Sequence, residues 1–190
     1  IEAIHSFKYR IALPAPSLYG QFKPDYSRNR ILAALKYIGF DEVFEVAKGA
    51  EIVTEATKKL MEVGSLKRPL ISSACPAVVR LIQVRFPNLI AHILKLESPM
   101  EVAAEIAKSR ALKTGEWKPE EVGVFFITPC AAKVTSVKAP YEKEKSFVDG
   151  AIAIRDIYVK LLNSLERLNG VHNYEMAGFS GIRWANSGGE

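Results

Sequence analysis

Apolar positions along the chain follow two rhythms that take turns. Short runs dominated by β-branched, aromatic and leucine residues read as strands: YRIAL from Tyr9, VFEVA from Val43, RPLISS from Arg68, VGVFFI from Val122 and GAIAI from Gly150. Between them the spacing lengthens to that of a helical face. DYSRNRILAALKYIGF places Ile31, Leu32, Leu35 and Ile38 on one side and closes on Gly39, and EIVTEATKKLMEVG runs from Glu51 to a stop at Gly64. A third helix starts beyond Cys75-Pro76, reaches Arg85 and breaks at Phe86-Pro87. In SPMEVAAEIAKSRAL, Ser98 is the N-cap, Pro99 the first helical residue and Glu101 follows three residues after the cap. A last helix, RDIYVKLLNSLERLNG, ends at Gly170. Strands alternating with helices in this order predict an α/β fold with a mainly parallel sheet.

Parallel α/β folds bind ligands where strands hand over to helices at their carboxyl ends. Three handovers are alike: IALPAPS from Ile11, LISSACPA from Leu70 and FITPCAA from Phe126. Each follows a buried-type strand with proline and small residues, which fix the turn and admit close backbone approach. These loops are expected to converge on one pocket. Two of them hold the only cysteines of the chain, Cys75 and Cys130.

Composition narrows the classes. A chain of 190 residues, 25% charged and 48% apolar, suffices for one cored domain or two small lobes. Its two separated cysteines suit a reducing, cytoplasmic setting rather than a disulfide framework or zinc module. The sequence has no apolar run of membrane-spanning length, and IEAIHSFKYR lacks a signal-peptide core. The net charge of +5 is spread without the single-signed, aromatic-laced stripe of a nucleic-acid binder. Neither a membrane nor a nucleic acid is therefore expected as a partner. The chain begins without methionine and stops in SGGE, the pattern expected of a piece of a longer protein.

Either thiol alone could be a small buried hydrophobe. Paired at matching strand-to-helix turns, where a helix N-terminus favours the thiolate, they also suit metal ligation or redox chemistry. Nucleophilic catalysis would need a histidine base, and nothing in the sequence places His5, His92 or His172 beside a cysteine.

These loops resemble the H-cluster domain of iron-only (di-iron) hydrogenases. Ser72-Ser73-Ala74-Cys75-Pro76 is similar to the family's T-S-C-C-P, and Thr128-Pro129-Cys130-Ala131-Ala132-Lys133 to its M-P-C-x-x-K. Ala15-Pro16-Ser17 matches the first active-site loop, and Ser98-Pro99 a downstream S-P. GFDEVFEVAKGAEIVTE, VDGAIAIRDI and SGIRWANSGGE are similar to three further segments, in the family's order. The resemblance implies two intertwined lobes with small, mainly parallel sheets flanked by helices and a cluster cleft between them. It implies a 4Fe-4S cubane with Cys75 and Cys130 as two ligands, beside a di-iron subcluster where dihydrogen is oxidised or formed from protons. Lys133 would neutralise an anionic di-iron ligand, and Pro16, Ser17 and Pro129 would line the pocket, Ser17 as a hydrogen-bond donor. Electrons would pass through ferredoxin-type modules or partners.

The departures are specific. The family's remaining ligands lie in a third motif, C-x-x-x-C, beyond the Gly188-Gly189 turn, and this sequence stops at Glu190. Residues 1–190 are thus expected to be one hydrogenase-like segment without upstream ferredoxin modules or the third motif, and inactive alone. The proton-relaying cysteine is replaced by Ala74, its acidic relay falls near Ala56 and Thr57, and the methionine beside the cluster is Thr128. Trp184 and Glu190 resemble the sensory branch of the family. A low-turnover or sensory hydrogenase-like domain is the first expectation. A cubane-only electron relay or interaction module is the second, and a plain α/β ligand-binding domain with structural thiols the third.

Overall fold

The computed structural model describes residues 2–64, 67–140, 144–168 and 173–186. Four parallel strands, β1 (Tyr9–Pro14), β2 (Glu42–Val43), β3 (Val122–Thr128) and β4 (Gly150–Ala153), form a sheet in the order β2-β1-β3-β4. All seven residues of β3 are buried, as its apolar run predicts for a strand covered on both faces. Alternate side chains serve opposite layers. Ala12, Phe125 and Ile127 join the cluster built from α1 (Arg28–Tyr37) and α6 (Ile154–Arg167). Ile11, Leu13, Val124 and Phe126 join the one built from α2 (Val46–Val63) and α4 (Pro99–Lys113).

Local signals set most helix ends. Ser27 caps α1 by accepting from the Arg30 amide at 3.2 Å, and Ser98 caps α4 by accepting from the Glu101 amide at 3.4 Å. Gly64 ends α2 at φ +70°, a conformation that favours glycine. The expected strand–helix pairs at YRIAL, VGVFFI and GAIAI are all present, with α6 starting one residue early, at Ile154. Its predicted end at Gly170, His172, the Gly188-Gly189 turn and Glu190 lie outside the described residues.

Two expected strands are corrected. VFEVA contributes only Val43 to β2, because Val46, Ala47, Ala50 and Val53 fall at helical spacing and are buried as the first turns of α2. In RPLISS only Ile71 bridges another strand-like residue, Ile93, and the pairing is parallel. Pro69 has no amide hydrogen to donate. The hydroxyls of Ser72 and Ser73 bond instead to the Ala74 amide and the Leu96 carbonyl. Among the described residues there is thus one small parallel sheet flanked by helices, and the lobe bearing α3 (Pro76–Arg85) rests on a single bridge.

The approach of α2 to α4 needs a glycine. A Cβ at Gly49 of α2 would stand 2.3 Å from the Pro99 carbonyl oxygen and 3.1 Å from the Ala103 Cβ of α4, whose buried stripe of Ala103, Ala104, Ala107 and Ala111 admits the contact. Gly49→Ala should therefore separate the helices and destabilise the domain by about 1–3 kcal/mol, read as a lower urea midpoint with an unchanged slope.

Candidate metal centre

In this strand order the chain leaves β1 toward one edge and β3 toward the other, so the crevice between their carboxyl ends is the switch point of the fold. Pro14 and Ile127 are in register there, and the Ala15 amide donates to the Ile127 carbonyl at 3.0 Å. The Ala15-Pro16-Ser17 and Thr128-Pro129-Cys130 loops therefore leave the sheet as neighbours. Pro16 begins a 3-10 turn, Pro16–Gln21, with Pro16 and Ser17 half-buried and the Ser17 carbonyl accepting from Gln21. Pro129 is exposed.

The two cysteines occupy the same local geometry. Cys75 is the N-cap of α3 with φ −100°, ψ 105°, and Cys130 is the N-cap of α5 (Ala131–Lys138) with φ −96°, ψ 110°. Their carbonyls accept the first helical hydrogen bonds, from Val79 at 3.1 Å and Val134 at 3.3 Å. Thr128, buried where the family motif has methionine, fixes the second turn by accepting from the Cys130 amide at 3.1 Å. Cys75 is exposed and Cys130 half-buried, and neither is in a disulfide.

Lys133 joins the two loops. From the first turns of α5 its Nζ donates to the Ala74 carbonyl at 2.8 Å, crossing to the residue before Cys75. Burial holds the Lys133 pKa below the ordinary lysine value, while the nearby Cys130, Cys75 and Glu101 act in the opposite direction. The cation, two sulfurs and a carboxylate thus form one electrostatic group.

Glu101 was legible only as a capping residue, yet its carboxylate reaches across the fold. It accepts from the Ser146 hydroxyl and, at 3.0 Å, from the Phe147 amide. Asp149, in the segment VDGAIAIRDI, accepts from the Val124 amide at 3.0 Å and pairs with Lys108 at 3.1 Å, bracing β3, the strand that leads to Cys130. No local pattern marks either contact. Ala56 and Thr57 lie half-buried on α2 and, like Ala74, have no titratable side chain.

The donor chemistry suits part of an iron–sulfur cluster. Two soft thiols stand at helix N-caps on loops tied by one ammonium, the ligand type that such clusters use. Among the described residues no group of three or more His, Cys, Asp or Glu gathers to hold a metal.

The lowered pKa fixes the sign of a pH effect. Between the folded pKa of Lys133 and the ordinary 10.5, the unfolded chain binds more protons than the folded one, so this residue's burial penalty fades as pH rises. Relative to Lys133→Met, the wild-type chain should gain stability from pH 7 to about pH 10 in urea titrations under reducing conditions. A difference that stays flat or moves the other way would count against a desolvated ammonium.

Comparison with known proteins gives the family and the fold. The family described as iron only hydrogenase large subunit, C-terminal domain, matches residues 8–177. The periplasmic Fe hydrogenase large subunit of Nitratidesulfovibrio vulgaris is 23% identical over 161 residues, covering 77% of this chain and 38% of its own length. Iron hydrogenase 1 of Clostridium pasteurianum is 25% identical, over 67% of this chain and 23% of that protein. The cytosolic Fe-S cluster assembly factor NAR1 of Yarrowia lipolytica is 26% identical over 99 residues, 52% of this chain and 20% of that protein. Among solved structures, HydA(deltaEFG), from a study of stepwise H-cluster assembly, superposes with a TM-score of 0.71 at 19% identity, covering 97% of this chain and 56% of its own. A single-residue variant of HydA1 from Chlamydomonas reinhardtii gives 0.69 at 20% identity, covering 91% of this chain and 48% of its own. The structural likeness carries the fold, and the chain spans less than half the length of these curated relatives. With its family match running from the first strand past Met176, the chain belongs to the family formed by the C-terminal domains of iron-only hydrogenase large subunits.

Proposed function

We propose that this domain holds two corners of a 4Fe-4S cubane through Cys75 and Cys130 and serves as a hydrogenase-like iron–sulfur domain of low turnover or sensory use. The observation that carries this reading is the pair of cysteines at equivalent helix N-caps, on loops bound together by Lys133 and the Ala74 carbonyl. When bound, such a cluster takes up or releases single electrons, and a di-iron subcluster beside it would convert dihydrogen and protons. The chain's own groups prepare the place. Lys133 offers a fixed positive charge to an anionic ligand, where an unpaired charge would be costly. Pro16, Ser17 and Pro129 form the neighbouring rim, with the Ser17 hydroxyl as a donor.

Low turnover follows from proton delivery. Fast hydrogen chemistry needs a titratable group beside the reacting centre; Ala74 and Ala56 have no transferable side-chain proton, and the Thr57 hydroxyl does not replace a carboxylate. Lys133 is already engaged with a backbone carbonyl, and moving it would cost that hydrogen bond. The remaining ligands come from outside this sequence, which has two cysteines in all. Electron exchange with a ferredoxin-type partner and a cytoplasmic setting complete the reading.

A cubane-only module is the second reading. It is favoured by the similarity to NAR1 and by the same missing relay groups. The two readings part in the infrared. The parent polypeptide, reconstituted anaerobically with iron and sulfide and matured with a di-iron donor, should show bands of iron-bound carbonyl and cyanide under the first, and only broad cubane absorption under the second. Under both, Cys75→Ser and Cys130→Ser should each remove at least about half of the bound iron, since each takes away one thiolate of the four a cubane uses. Iron content unchanged in both variants would refute ligation by these thiols.

A further inference from the structure

A small cavity opens at the amino end of the sheet, away from the cysteines. Its walls are Tyr9, Glu42, Arg110, Thr114, Glu116 and Trp117, and its volume is about 160 Å³. Tyr9 begins β1 and Pro14 ends it. At about 3.3 Å per residue, the cavity is therefore roughly 16 Å along the strand from the point where the loops of the candidate metal centre begin. A cavity of about 150 Å³ can hold a molecule as large as benzene.

The groups around it are held by contacts of their own. The Tyr9 and Trp117 rings stack with centroids 5.3 Å apart. The Tyr9 hydroxyl donates to Glu42 Oε2 at 3.1 Å and orients that carboxylate. In the Thr114–Trp117 turn, the Thr114 hydroxyl accepts from the Glu116 amide at 3.4 Å, and Gly115 takes φ +74°, which favours glycine. The Arg110 guanidinium lies over the Phe44 ring at 5.6 Å, with its Nη1 3.8 Å from the Met176 Sδ.

The charges in the cavity are opposite, yet they do not neutralise one another. Asp41, next to Glu42, is paired with Arg10 at 3.0 Å. Among the described residues, by contrast, Arg110 forms no ion pair with Glu42 or Glu116, although all three line the same small space. Burial and the carboxylates of Glu42, Asp41 and Glu116 push the Tyr9 pKa up to about 12, so a negative field reaches this wall. A simple cation would be drawn to the carboxylates and repelled by Arg110, and a simple anion would meet the reverse. A molecule carrying both charges finds a partner at each pole. A guanidinium already oriented by its neighbours, with no carboxylate of its own, is preorganised to take one through parallel hydrogen bonds. We propose that this cavity binds a small zwitterion of the amino-acid class, its carboxylate on Arg110, its ammonium at Glu42 and Glu116, and its carbon frame against the Tyr9–Trp117 stack. Binding there needs neither the cysteines nor a cluster.

Probes of one carbon skeleton separate the charges: 4-aminobutanoate carries both, butylamine only the cation and butyrate only the anion. L-valine serves as a second zwitterion with its charges closer together. At least one zwitterion should bind the 190-residue chain saturably, with a dissociation constant on the order of 1 mM, and shift the Trp117 indole resonance. Trp117→Phe identifies that signal among the chain's two indoles. Butylamine and butyrate should each bind at least about tenfold more weakly. Arg110→Gln should weaken the zwitterion about tenfold without weakening butylamine, and Glu42→Gln, which keeps an acceptor for Tyr9, should weaken it without weakening butyrate. Arg110 is exposed and Glu42 half-buried, and ligand-free circular dichroism checks that both variants fold. Saturating zwitterion should raise the urea midpoint of the wild-type chain and leave that of Arg110→Gln in place. The comparison of the three skeletons stands even if a variant fails to fold. No saturable binding of either zwitterion up to about 50 mM, equal binding of butylamine or butyrate, or zwitterion affinity unchanged in both folded variants would each overturn the proposal.

Discussion

The fold depends on the pairing of β1 with β3. Six residues of β1, Tyr9 to Pro14, lie in parallel register with Val122 to Ile127, and every residue of β3 is buried. A slip of one residue would send Ile11 and Leu13 into the layer that Ala12 and Phe125 now fill, exchanging the two cores. The same register decides where the chain emerges. Pro14 opposite Ile127 sends the Pro16 loop and the Cys130 loop out side by side, so a core-packing constraint fixes two of the three loops around the candidate metal centre.

The third loop is held by polar contacts. The Cys75 segment has one bridge to the 93–94 region and the Ser73 bond to the Leu96 carbonyl, and Lys133 joins it to α5. Elsewhere buried carboxylates make the long connections. Glu45, fully buried, accepts from the Tyr19 hydroxyl at 2.7 Å and from the Met176 and Ala177 amides at 2.6 and 2.9 Å. It ties the turn after Ser17 to a segment more than 130 residues later. Hydrogen-bonded carboxylates buried in this way orient loops that apolar packing leaves free.

What could be read from the sequence was what local physics decides. The cap at Ser98, the stop at Gly64 and the buried run of β3 depend on neighbours a few residues away, and all appear as their patterns indicate. The matching cysteine turns were legible for the same reason. VFEVA and RPLISS were misread because β-branched residues suit a buried first helical turn as well as a strand, and because a strand needs a partner that the sequence does not display. The reach of Glu101 to Phe147, of Asp149 to Val124 and of Lys133 to Ala74 spans 46, 25 and 59 positions, beyond any periodic signal. Lys133 stood out through its motif, but not its bond to Ala74.

Lys133 also shows how the charge balance around the two cysteines is separate from the positions where the family resemblance expects proton carriers. A desolvated ammonium disfavours its own charge, and negative charge on the sulfurs beside it acts in the opposite direction, so Cys75 and Cys130 support the Lys133 charge only when they are anionic. Metal ligation is one way to hold thiols as thiolates. The groups that would shuttle protons take no part in this balance, so Ala74, Ala56 and Thr57 can lack titratable side chains while the charged frame around the cysteines stays intact.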